Sequence, residues 1–145
     1  MVLKCEHNHN AWVYHSKILL VAPLLRLPMD YKRIHESIMK SDPKIRLVTI
    51  CDQNGKIMHS DHREGVRNLL SPDESKKSLD LAVKAWKTRS ELAPKIGKGK
   101  YVLAEYEKIK RITMPLGDNH LLYVTTEIDA DHSGIINSIT KLDVQ

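Results

Sequence analysis

The chain has no phenylalanine, and its aromatic share is only 5%. Its core therefore has to be built from Leu, Ile and Val together with Trp12, Trp86 and the tyrosines. Only two cysteines occur, Cys5 near one end and Cys51 inside an apolar strand pattern. That pairing offers no disulfide framework, and a reducing, cytoplasmic setting is the simpler expectation. The longest apolar run, ILLVAPLL at 18–25, is too short to span a bilayer and contains Pro23. As a secretion signal it lacks a basic start and a clear small-residue cleavage site, so secretion is not expected. Internal repeats and low-complexity tracts are also missing.

At 145 residues, with 41% apolar and 28% charged residues, the composition is that of an ordinary globular domain. The formal net charge is +5, which admits acidic partners, nucleic acid among them, without bearing on the fold. Between Lys76 and Arg111, eleven Lys or Arg face four Asp or Glu. Residues 1–28 lack clear periodicity and read as an extension or arm. Regular patterning begins at Met29, so 29–145 is expected to form one domain.

Tyr31, Ile34, Ile38 and Met39 recur at helical spacing behind Asp30, a good N-cap, and Pro43 ends the pattern. IRLVTIC at 45–51 is apolar on both faces and reads as a central strand. Asn54-Gly55 then signals a hairpin, with KIMHS as the returning strand. Ser71-Pro72-Asp73-Glu74 combines a capping box with proline in the first turn. The helix it opens should run to about Ala93, ahead of Pro94 and the Gly97/Gly99 pair. Leu79, Ala82, Val83, Trp86, Ser90 and Ala93 form its main buried stripe. Leu81, Ala85 and Leu92 make a second, smaller stripe on roughly the opposite side. KYVLAEYEKIKRITMPL reads as two strands with a bend near Glu107-Lys108, and HLLYVTTEI at 120–128 as another strand apolar on both faces. A last helix, capped by Asp129 or Asp131, should bury Ile135, Ile136, Ile139 and Leu142. Two strands apolar on both faces imply helices above and below an approximately five-stranded antiparallel sheet, an α+β sandwich.

Helix, hairpin, long helix, meander and helix, in this order, resemble the profilin-like α/β/α sandwich of the Roadblock/dynein light-chain superfamily. The resemblance covers about residues 29–145 and is carried by the element order, the ICDQNGKIM hairpin and the MPLGDNHLLYV turn. The wording of this stretch is also similar to short proteins of ammonia-oxidising archaea. The resemblance implies a non-catalytic adaptor that dimerises by an edge strand and its long helix, binding small GTPases or motor and polarity components. Leu81, Ala85 and Leu92 lie where such dimers place their helix–helix contact. A PAS-like sensor shares the DxxGKI hairpin and the meander, but it bridges them with several short helices around a ligand cavity. Such a sensor needs a cavity between long helix and sheet, whereas an adaptor should be packed solid there.

Chemistry is sparse by comparison. Cys5, His7 and His9 alternate and, with His15, could offer sulfur and imidazole to zinc or copper, but the tight pairing of structural zinc sites is missing. A His-rich terminus is the simpler account, and no cofactor is expected. In a strand His59 and Asp61 share a face and His62 takes the other, so the three converge only if the chain turns at once. Cys51 reads as a small buried hydrophobe. Gly97-Lys98-Gly99-Lys100 follows a helix and precedes a strand, the reverse of a Walker loop. Lys95, Lys98, Lys100, Lys108, Lys110 and Arg111 could form a basic edge beside Tyr101 and Tyr106, binding nucleic acid or an acidic protein. No nucleophile–base pair can be read, so an enzyme is not expected, nor is a membrane partner.

Overall fold

The computed structural model describes residues 28–142 and residue 144. The arm expected at 1–28, with Cys5, His7, His9 and His15, lies outside the described residues but for Pro28. Asp30–Val144 forms a compact unit.

Helix α1 spans Tyr31–Ser41, and the Asp30 carboxylate accepts the Arg33 N–H as its N-cap. Strands β1 (Ile45–Asp52) and β2 (Ile57–His62) form the hairpin. Within its turn only Gly55 takes a positive φ, at 86°, and the register of β1 on β2 shifts between Ile50 and Cys51. The turn is thus the longer glycine-bulge type, not the two-residue turn that Asn-Gly signals by itself. Asp52 organises it: its carboxylate accepts the N–H of Asn54 and of Lys56, which holds its pKa below the ordinary value.

Helix α2 spans Pro72–Ile96. Ser71 and Glu74 form the expected reciprocal capping box, at 3.2 and 2.9 Å. The helix outruns the expected stop at Ala93 by one turn and carries Pro94 inside it. Proline in a last turn forfeits one hydrogen bond without breaking the rod; the Gly97 N–H donates to Ala93 O at 2.8 Å and closes the helix.

Strands β3 (Val102–Glu105), β4 (Ile109–Leu116) and β5 (His120–Glu127) make the meander, and α3 (His132–Thr140) follows with Asp131 as its cap. The antiparallel sheet is ordered β2-β1-β5-β4-β3. The two strands apolar on both faces, β1 and β5, sit side by side inside it. One face buries Ile45, Val48, Ile50, Ile112, Leu122 and Val124 with Ile34 and Ile38 of α1 and Ile135 and Ile139 of α3. The other face packs Cys51, Leu121 and Tyr123 against Leu79, Val83 and Trp86 of α2. The result is a three-layer α/β/α sandwich. No helix among the described residues is long and apolar enough to cross a membrane.

Candidate interaction surfaces and cavity

The outer face of α2 is the first candidate. Leu81 is 70% exposed and Leu92 48%, while Ala85 between them is half-buried. The extra helical turn adds Ile96, 79% exposed and one turn beyond Leu92. A helix that stopped at Ala93, as Pro94 suggests, would not include Ile96. Strand β3 follows the helix in the chain, and among the described residues it pairs with β4 alone, at the edge of the sheet.

The six residues of the expected basic edge do not come together. Lys95, Lys98, Lys100 and Lys108 are exposed. Lys110 and Arg111 are consecutive on β4, an inner strand, so their side chains leave opposite faces of the sheet. Lys110 is buried at 8% exposure, with Nζ donating to Ala130 O at 3.0 Å and lying 3.0 Å from His132 Nδ1. Arg111 turns to the α2 face, its guanidinium 4.9 Å from the Tyr123 ring centre and 5.2 Å from that of Tyr106. Strand alternation alone could have separated the two.

His59, Asp61 and His62 are also divided by alternation, because β2 runs straight through His62. His59 instead meets His35 of α1, ring centres 4.7 Å apart, and neither Nε2 has a hydrogen-bond partner. Nothing in the sequence ties these two histidines together. Burial, followed by the neighbouring His59, pulls the His35 pKa below its ordinary value, while the Asp61 main chain works the other way. Among the described residues no three His, Cys, Asp or Glu lie close enough to hold a metal ion. Cys51 is fully buried with its Sγ 3.7 Å from Leu121 O, and burial beside Asp52 pushes its thiol up to about 11. It is the small core residue expected, not a nucleophile.

Between α2 and the sheet the packing is of two kinds. Val83 and Trp86 pack directly on Cys51, Leu121 and Tyr123, and Trp86 Nε1 donates to Thr113 Oγ1 at 3.1 Å, although the two also line a hollow of about 490 Å³ toward Pro115 and His120. Toward the helix N-terminus it opens into a cavity of about 570 Å³. Solid packing throughout, expected of an adaptor, is therefore not what the chain has. The floor carries Leu47, Thr49 and Tyr123, the roof Ser75 and Leu79, and Arg111 and His62 stand at its sides.

An antiparallel five-stranded sheet with two short helices on one side and one long helix on the other defines a profilin-like sandwich. More narrowly, the chain has the Roadblock/LC7 fold. It is similar to the Roadblock/LC7 domain from Streptomyces avermitilis, with a TM-score of 0.61 at 14% identity over 77% of this chain and 89% of that one. It is likewise similar to the gliding protein MglB from Thermus thermophilus, with a TM-score of 0.62 at 13% identity over 75% and 79%. A structure of MglB with a tetrameric arrangement gives 0.64 at 13% identity over 80% and 86%. No family model and no curated protein matches the chain. The PAS-like alternative fails on architecture, because one helix of 25 residues occupies the place of several short ones.

Proposed function

We propose that the protein is a non-catalytic, cytoplasmic adaptor that self-associates through α2 and β3 and presents the assembled sheet to a protein partner. The observation that carries this is the exposed apolar stripe Leu81–Ala85–Leu92–Ile96 on a helix that already buries its opposite face. A helix apolar on two sides needs cover on both. A two-fold axis matches the stripe to itself and sets two β3 edges side by side. The tetrameric arrangement described for MglB supports assembly as a use of this fold. A small GTPase is the class of partner that the resemblance to Roadblock proteins implies.

Light scattering tests self-association directly. The expected mass is twice the 16.6 kDa of one chain. The double substitution Leu81→Glu and Leu92→Glu should halve it without loss of helical signal. A strict monomer at high concentration, or a dimer that the double variant leaves intact, refutes the proposed surface.

A further inference from the structure

The cavity under the N-terminal half of α2 is within the range typical of small-molecule sites, and its walls are mainly apolar. The hydroxyl groups of Thr49, Ser60 and Tyr123 in its lining are already paired. Thr49 and Ser60 share a hydrogen bond at 2.7 Å, and Ser78 and Tyr123 share another at 2.8 Å. Two nitrogen atoms are not. Arg111 Nε and His62 Nε2 have no exposed surface and no hydrogen-bond partner. Buried polar atoms without partners are rare in folded proteins and ask for an explanation.

Their positions make that explanation specific. The register places His62 opposite Leu47, Leu47 opposite Thr125, and Thr125 opposite Arg111. All four line the cavity, so His62 and Arg111 stand at the two ends of a single cross-strand row. The charge there is unbalanced. Arg46 is neutralised by Glu127 at 2.6 Å, but Arg67, Arg111, Lys56 and Lys76 also line the space. The sole carboxylate among the lining residues is Asp80, which lies toward Gly55 at the hairpin end.

We propose that this cavity binds a small amphipathic anion, its carboxylate or phosphate head held by Arg111 and His62 and its apolar body lying under Leu79. A guanidinium N–H and an imidazole nitrogen suit an acidic oxygen acceptor, and the low-dielectric walls strengthen the contact. The proposal does not depend on self-association and applies to monomer or dimer.

The test is calorimetric titration of the full chain with octanoate, octyl phosphate and octan-1-ol. One anion per chain should bind saturably, with octan-1-ol at least about tenfold weaker, and the stronger of the two anions identifies the head. Arg111→Gln should weaken that anion about tenfold, and Ser75→Phe, which fills the space from the roof, should abolish its binding. Arg89→Gln, on Trp86 away from the cavity, should change nothing. Circular dichroism reports whether each variant folds; should Arg111→Gln not fold, Ser75→Phe decides alone. Absence of saturable binding up to millimolar ligand overturns the proposal. So does octan-1-ol binding as tightly as the anions, or an anion affinity that the folded cavity variants leave unchanged.

Discussion

Replacing Gly99 with alanine should destabilise the domain by about 1–3 kcal/mol, and the whole cost should come from one ring. A Cβ built on Gly99 falls 2.5 Å from Trp86 Cζ3 and 2.9 Å from Cη2, well inside van der Waals contact. The backbone adds nothing, since Gly99 is not among the glycines with positive φ. Nor can the ring retreat easily. Its Nε1 is tied to Thr113, Arg89 lies 5.6 Å from its centre, and Val83 and Leu121 pack around it. Forcing an extra methyl group into such a place typically costs about 1–3 kcal/mol, or roughly 4–12 °C of melting temperature in a domain of this size.

Gly97 supplies the contrast. Nothing lies within 4 Å of its Cβ position, but its φ of 93° and ψ of 167° fall in a region essentially reserved for glycine. Gly97→Ala should thus cost a similar amount for an unrelated reason. Urea unfolding of both variants, repeated in a Trp86→Phe background that removes the colliding benzo ring, separates the two. The Gly99→Ala penalty should largely vanish there and the Gly97→Ala penalty should persist. A Gly99→Ala cost that stays the same with phenylalanine at 86 refutes the steric account.

Two further outcomes follow from the buried titratable groups. Because the folded-state pKa of His35 is lowered, the stability it contributes is fully present above its unfolded value of about 6.5 and is lost as pH falls below it. The melting temperature should drop between pH 7 and 5, and His35→Leu should flatten that slope; an unaltered slope would falsify the assignment. Cys51, with a thiol pushed to about 11, is thiolate to roughly one part in ten thousand at neutral pH. In a Cys5→Ser background a thiol reagent should label it only on addition of denaturant, and rapid labelling of the folded protein would show the core to be open.

The local signals were legible because each is written within a few residues. Asp30, the Ser71–Glu74 box and Asp131 cap the helices they precede, and glycines at 55 and 117 take positive φ in the two strand turns. Two-sided apolarity located β1 and β5 in the interior of the sheet for the same reason: the alternation is absent from the residues themselves. What escaped depends on pairing between distant segments. His35 meets His59 only after α1 has folded over the edge strand β2. The cavity likewise is walled by segments far apart in sequence, Leu47 and Ser60 of the hairpin, Ser75 and Leu79 of α2, and Tyr123 of β5. Lys110 and Arg111 are a different case, since adjacency in a strand is enough to set them on opposite faces.

The two edges of the sheet are not equally open to another chain, and this decides where assembly should occur. Edge strand β2 has the sequence IMHSDH, and its pairing with β1 carries the register shift at Ile50 and Cys51. Polar and charged side chains and an irregular ladder both discourage a further strand. Edge strand β3 has the sequence VLAE and pairs with β4 in unbroken register from Val102 to Glu105. Its backbone is regular, its side chains are apolar but for Glu105 at its end, and it begins six residues beyond Ile96, where the outer stripe of α2 ends. An interface built on the stripe can therefore reach β3 without crossing the cavity, whose lining includes Ile57 and Ser60 of β2 and no residue of β3. The two proposals thus draw on separate faces of the same helix, the outer one for a second protein surface and the inner one for a ligand.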